Sequence, residues 1–185
     1  MIVYLHGFNS SPQSHKARVL GNYLAARGLG AVFACPALPS SARAAMRVIR
    51  SVVQPGEGVC YIGSSLGGFY ATHLVETQGG KAVLINPAID PHAGLRAYLG
   101  PQKNLYTGEP YELTEDHLQQ WRELWVPTTT AHRYLLLVET GDEVLDYRKA
   151  LERYPGAEQI VVPGGDHGLQ SFPDHVARIV RFAGY

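Results

Sequence analysis

Residues 61–70 read YIGSSLGGFY, three glycines and two serines set among apolar and aromatic side chains, directly after Val59-Cys60. An apolar run such as Val59–Ile62 bounded by glycine predicts a buried strand, and Phe69 to Val75 beyond it predicts a helix. Gly63-Ser64-Ser65-Leu66-Gly67 stands at that junction as a G-x-S-x-G, the pattern of a nucleophile elbow. A turn this sharp forces its central residue into strained backbone angles and lifts the side chain above the sheet edge. Neighbouring segments then approach so closely that a Cβ two residues before or after would clash. Gly63 and Gly67 hold those places around Ser65, whereas Ser64 has Leu66 two residues on. Ser65 is therefore the expected nucleophile. The bare pattern is weak, because a tight turn with a capping serine also produces it, so the reading needs partners elsewhere.

A serine hydroxyl requires a base, and the base requires an orienting group. Beyond a nucleophile elbow the acid and then the histidine follow on loops after later strands. Gly164-Gly165-Asp166-His167-Gly168 follows the last strand-like run, Gln159–Val162, and offers His167 as the base. The other seven histidines lack that placement. Glu139-Thr140-Gly141-Asp142-Glu143-Val144-Leu145-Asp146 follows the run Tyr134–Glu139, and Asp142, first after the turn glycine, is the expected acid. Asp146 reads as the cap of a helix beginning near Tyr147. Asp90, after Ala82–Asn86, is a rival acid. Acyl transfer also needs N–H donors for an oxyanion. Leu66, at the start of the helix, supplies one, and Phe8, in His6-Gly7-Phe8-Asn9 after the run Ile2–His6, supplies the second; His6 reads as a brace of that loop.

With Ala31–Cys35, these runs make six strand candidates that lack polar alternation, as strands covered on both faces do. Helical patterns lie between most of them. Ala17, Leu20 and Leu24 share one face before Gly28; Ser41 caps a second pattern with Ala45, Val48, Ile49 and Val52, ended at Pro55-Gly56; Phe172, Val176, Ile179 and Val180 close the chain. The alternation predicts an α/β protein with a parallel sheet. About forty residues, 91–131, separate the fourth and fifth strands, with a helical piece near Leu113–Leu124. So long an insertion reads as a lid or binding loop, or as an extra packed helix. The insertion holds Tyr98, Tyr106, Tyr111, Trp121 and Trp125, and its aromatics with Phe8 and Phe69 are expected to line an apolar acyl pocket, Phe69, Tyr98, Trp121 and Trp125 being the expected substrate contacts.

At 185 residues the chain is expected to form one domain. Sixteen Lys+Arg balance sixteen Asp+Glu, so no net field draws it to nucleic acid or an anionic membrane, and a small-molecule partner is expected. Cys35 and Cys60 lack metal-site spacing and read as reduced, buried thiols. No apolar stretch approaches a membrane span. The first strand begins at Ile2, which leaves no room for a signal peptide and predicts a cytoplasmic protein.

Opening with YLHGFNSSPQSHKA, turning through YIGSSLGGFYA, then TGDEVLDY and GGDHGLQSF, the chain resembles the YqiA-type esterases, a small bacterial branch of the α/β hydrolases. The match runs essentially end to end. The resemblance implies the α/β-hydrolase fold with six sheet strands in the order 2-1-3-4-5-6, the two usual leading strands being absent. It also implies carboxylic ester hydrolysis by Ser65, Asp142 and His167 through a covalent acyl-enzyme, with no metal and no organic cofactor. An acyl-CoA thioesterase would use the same residues. Its phosphates would find Arg96, Lys103, Arg122 and His92 in the insertion opposed by Glu109, Glu112, Glu115, Asp116 and Glu123. The stripe Arg43, Arg47 and Arg50 reads as a solvated helix face. A serine peptidase would need more leaving-group assistance and a specificity pocket. A non-catalytic binding module would typically have lost a triad member, and all three have candidates here.

Overall fold

The computed structural model of the chain describes residues 1–53 and 58–185. Six strands form the main sheet: β1 (Ile2–Leu5), β2 (Phe33–Ala34), β3 (Cys60–Ser64), β4 (Lys81–Ile85), β7 (Tyr134–Glu139) and β8 (Glu158–Val162). All neighbours are parallel and their spatial order is β2-β1-β3-β4-β7-β8. The numbering skips because β5 (Gly100–Lys103) and β6 (Pro110–Leu113) form a separate antiparallel pair. Counted within the sheet alone, the order is the 2-1-3-4-5-6 that the resemblance implies.

Alternate side chains of β1, β3, β4 and β7 feed opposite apolar layers, which is why their central positions are apolar. The edge strand β8 departs from the expectation: Glu158, Gln159 and Val161 are exposed, because an edge strand is covered less completely than the strands between. Val3, Leu5, Tyr61, Leu84 and Leu136 face a layer built with α2 (Ala42–Val52), α3 (Leu66–Gln78), α5 (Glu115–Leu124) and α6 (Tyr147–Arg153). Ile2, Tyr4, Ile62, Ile85 and Leu137 face the other, built with α1 (His15–Ala25) and α7 (Phe172–Phe182). Local chemistry fixes the ends. The Ser41 hydroxyl accepts from Ala44 N at 3.4 Å at the start of α2, and Asp146 Oδ1 accepts from Arg148 N at 3.0 Å at the start of α6. Pro55-Gly56, the expected stop of α2, lies outside the described residues.

The insertion is more than one extra helix. It opens with the short α4 (Pro91–Gly94), continues through the β5–β6 hairpin and ends in α5, which begins two residues later than the expected piece. The hairpin tip reaches back to the loop after β1. Leu105 N donates to Asn9 O at 2.9 Å and Asn104 Nδ2 to Ser10 O at 2.9 Å. Trp121 is wholly buried beneath it, donating through Nε1 to the Tyr70 hydroxyl at 2.7 Å.

Candidate active site

Ser65 sits where β3 becomes α3, at φ 54° and ψ −119°, a conformation that costs a non-glycine residue on the order of 1–3 kcal/mol. The surroundings over-determine it. Ser65 N donates to Ile85 O at 3.0 Å, and its carbonyl accepts from Gly68 N and Ala88 N at 2.9 and 3.0 Å. A Cβ on Gly63 would stand 2.6 Å from Gly68 Cα, and one on Gly67 would run into the Leu5 carbonyl of β1. The two glycines are thus demanded by close backbone approach, in the register that singles out Ser65 rather than Ser64.

His167 lies on the loop between β8 and α7, and its Nδ1 hydrogen-bonds Asp142 Oδ2 at 2.8 Å. In the neutral form of the ring, an ionised Asp142 keeps the proton on Nδ1 and leaves the Nε2 lone pair free. Asp142's side chain is only 1% exposed, and Oδ1 accepts from Val144 N and Leu145 N, each at 2.8 Å. Burial alone would raise this carboxyl's pKa. The donors His167, Leu145 and Val144, with the imidazole's charge, outweigh it and hold the pKa below the ordinary carboxylate value. Neither rival acid approaches His167 in this way: Asp90 Oδ1 lies 2.5 Å from His92 Nδ1, and Asp146 caps α6.

Two polar residues left unread in the sequence fix the histidine loop. Asn86, at φ 40° just past β4, donates to the Asp166 and His167 carbonyls at 3.1 and 3.2 Å and accepts from Glu139 N at 3.0 Å. Glu139, 1% exposed at the end of β7, accepts from Asp166 N at 2.8 Å and from the Ser171 hydroxyl at 2.5 Å. The available signal was a polar residue closing an otherwise apolar strand, a costly burial unless it serves as an acceptor.

Leu66 opens the 13-residue α3, where N–H groups have no partner within the helix and the dipole is positive. Phe8 lies in the loop after β1. Among the described residues, neither Phe8 N–H nor Leu66 N–H is taken by another protein group. The loop is braced on both flanks. The buried His6 accepts from Leu38 N through Nε2 at 3.0 Å and turns Nδ1 to Gly7 O at 3.1 Å. Asn9, at φ 52°, accepts from the Tyr111 hydroxyl at 2.6 Å and donates to Gln102 Oε1 at 3.2 Å.

Ser65 and His167 line one cavity of about 310 Å³, together with Phe8, Tyr4, Lys16 and Tyr106. A second, of about 370 Å³, lies across the Gly7–Ser10 loop and is lined by Phe8, Leu66, Leu38, Tyr70 and Tyr111. Of the aromatics expected to line a pocket, Phe8 borders both cavities, Tyr111 the larger and Tyr106 the smaller, whereas Phe69, Tyr98, Trp121 and Trp125 border neither. Phe69 and Trp125 flank a small crevice beside Arg153, Trp121 is in the core, and the half-exposed Tyr98 packs edge-on against Phe8 at 6.3 Å. Among the described residues, no three His, Cys, Asp or Glu side chains are grouped to hold a metal ion. Both cysteines are free thiols; Cys60 is buried as expected but Cys35 is only partly so, and burial pushes both up to about 12.

A family model described as "Uncharacterised protein family (UPF0227)" matches residues 1–184. Solved structures share the architecture. A protein from Agrobacterium vitis S4 superposes with a TM-score of 0.74 at 20% identity, over 98% of this chain and 87% of its own. The mouse alpha/beta hydrolase domain-containing protein 10 gives 0.72 at 15% identity, over 99% and 89%. Est1E from Butyrivibrio proteoclasticus gives 0.67 at 12% identity, over 98% and 85%. At such identities the likeness is one of fold, and the fold is that of the α/β hydrolases.

Proposed function

We propose that this chain, which belongs to the Uncharacterised protein family (UPF0227), is a serine hydrolase of carboxylic esters. The observation that carries the reading is the strained Ser65 sharing a cavity with an imidazole whose far nitrogen is hydrogen-bonded to a buried carboxylate. In the proposed mechanism Ser65 Oγ attacks the ester carbonyl carbon while His167 Nε2 takes the hydroxyl proton. Asp142 stays ionised, which its depressed pKa favours, and stabilises the imidazolium. The carbonyl's electron pair moves onto oxygen, held by the Phe8 and Leu66 N–H groups. Collapse re-forms the carbonyl, breaks the C–O bond and sends the His167 proton to the departing alkoxide. Water repeats the sequence on the acyl-enzyme and releases the acid.

The residues 91–131 act as a cap in this reading, because the hairpin tip lines both cavities. Thioesters would follow the same steps. Little in the lining favours a coenzyme with several phosphates: among the described residues Lys16 is the single Lys or Arg on either cavity, and Arg96 is bound to Glu115 at 2.7 and 3.0 Å.

The test is labelling by a fluorophosphonate beside turnover of p-nitrophenyl esters and acyl-CoA thioesters. Wild type should be labelled and active on the oxygen esters, and Ser65→Ala should lose labelling and roughly 10⁴-fold or more of the rate. Activity surviving in Ser65→Ala would show that the wrong hydroxyl was chosen. Turnover confined to the thioesters would move the assignment to a thioesterase.

A further inference from the structure

We propose that the two cavities on either side of the Gly7–Ser10 loop are the two arms of one substrate site: the alcohol lies in the Ser65–His167 cavity and the acyl group in the Leu38–Tyr111 cavity. The inference rests on the ester-hydrolase reading and specifies its substrate as the ester of an uncharged, apolar acid of modest length with a polar alcohol.

The placement follows from the chemistry of the step. The departing oxygen must stand within hydrogen-bond reach of the imidazole that protonates it, and of the two cavities only the smaller is lined by His167. The carbonyl oxygen must point at the Phe8 and Leu66 N–H groups. A trigonal carbon with those two directions occupied has one left for its acyl substituent. The larger cavity is where Phe8 and Leu66 both form the wall, and His167 has no part in it. Each space is at the lower end of the range for ligand pockets, about 300–1,000 Å³, so each suits one arm of a small ester rather than a whole lipid.

The walls differ in chemistry. Ser14, His15, Lys16 and Gln170 ring the alcohol side, with the Tyr4 and Tyr106 side chains. That set offers donors and acceptors to hydroxyls on the leaving group. Leu38, Pro39, Leu66, Tyr70 and Tyr111 give the acyl side its apolar surface, and the acidic Glu109 is among the residues at its border. An acid with a second, ionised carboxyl would meet that like charge. One hairpin roofs both spaces, Leu105 and Tyr106 on the alcohol side, Asn104 and Thr107 on the acyl side, so each side can be narrowed separately.

The experiment fills one side at a time at exposed positions outside the reacting groups. Ala37→Phe narrows the acyl cavity from the loop after β2, and Thr107→Trp narrows it from the hairpin should the first variant fold poorly; Gln170→Phe narrows the alcohol cavity. Two series are measured: p-nitrophenyl esters from acetate to decanoate, and butyrate esters of alcohols of increasing size and hydroxylation. Ala37→Phe and Thr107→Trp should shorten the preferred acyl chain, losing roughly tenfold or more in kcat/KM on octanoate relative to acetate. The same chain-length dependence should persist in the hydrolysis of the isolated acyl-enzyme, which has already shed its alcohol. Gln170→Phe should reorder the alcohols and leave acyl-enzyme hydrolysis unchanged. Reversed effects, or acyl-side variants that leave chain preference as in wild type, would overturn the assignment. Failure of fluorophosphonate to label wild type would instead sink the hydrolase reading beneath it.

Discussion

Across 25 residues of chain, His167 Nδ1 and Asp142 Oδ2 meet at 2.8 Å, with the carboxylate sealed from solvent and its second oxygen held by two backbone amides. Nothing else in the described structure orients that imidazole from below. Replacing Asp142 by Asn keeps the shape, but an amide N–H facing Nδ1 would favour the tautomer with its proton on Nε2, the wrong one for a base. A fall in kcat of about 10⁴-fold is expected, against less than about tenfold for Asp90→Asn and Asp146→Asn. Steady-state ester hydrolysis by the three variants measures this, and a collapse confined to Asp90→Asn would assign the acid elsewhere.

Tyr111 tests whether the hairpin serves the chemistry. Its hydroxyl holds Asn9 Oδ1 next to the Phe8 amide, and its ring packs edge-on against Phe8 at 6.5 Å. Tyr111→Phe retains the ring and removes only the brace. Under the proposed mechanism, loosening the loop that carries the Phe8 amide should cost roughly tenfold in kcat with KM almost unchanged, because an oxyanion donor matters most when charge develops. Stability should fall by only about 1 kcal/mol, the usual net worth of one such bond. Because the ring that faces the larger cavity is kept, equal losses in KM and kcat would mean that the Tyr111 hydroxyl itself binds substrate rather than bracing the loop.

Acid should weaken the fold in two stages. Burial is the main cause that lowers the His6 pKa, with the Gly7 carbonyl opposing it, and burial likewise lowers that of His73. Below the ordinary histidine value of 6.5 the unfolded chain therefore binds protons that the folded chain resists, so stability drops as pH falls through that value. For His6 the cause is visible: Nε2 accepts from Leu38 N, and a proton there abolishes the acceptor. Asp142 acts lower. Its folded pKa is depressed below 3.8, so its contribution is complete above that value and is lost as pH falls through the folded one. Thermal melts from pH 8 to 2 should fall in both windows. His6→Asn should flatten the first, and the difference between wild type and Asp142→Asn should close in the second.

What the sequence disclosed divides along physical lines. The central strands were legible because burial on both faces leaves mostly apolar residues, and the elbow because backbone crowding admits only glycine at 63 and 67. The hairpin was not. Pro101 and Pro110 lie within its strands, its burial alternates weakly, and its tyrosines read as a helical or lid-like aromatic cluster. Trp121 and Trp125 looked alike from their spacing, yet one fills the core and the other leans on Arg153 at the surface. The Nζ of Lys16 meets Gly168 O, a contact 152 residues away that no local pattern encodes.

Gly67 offers the sharpest test of the elbow as a packing device, independent of any substrate. A Cβ there would collide with the Leu5 carbonyl and lie 2.9 Å from His6 O, both backbone atoms of the neighbouring strand and its loop. Neither can move without tearing β1 from β3, whose ladder pairs Leu5 with Gly63. Gly67→Ala should therefore cost on the order of 4 kcal/mol or more, at the extreme of single substitutions. Gly28 is the control. It has φ +72° but open space around it, so Gly28→Ala bears only the left-handed backbone penalty, about 1–2 kcal/mol. Urea unfolding of the two variants separates crowding from backbone strain. If Gly67→Ala proves as mild as Gly28→Ala, helix α3 does not press on the end of β1 as described, and the geometry that raises Ser65 has another origin.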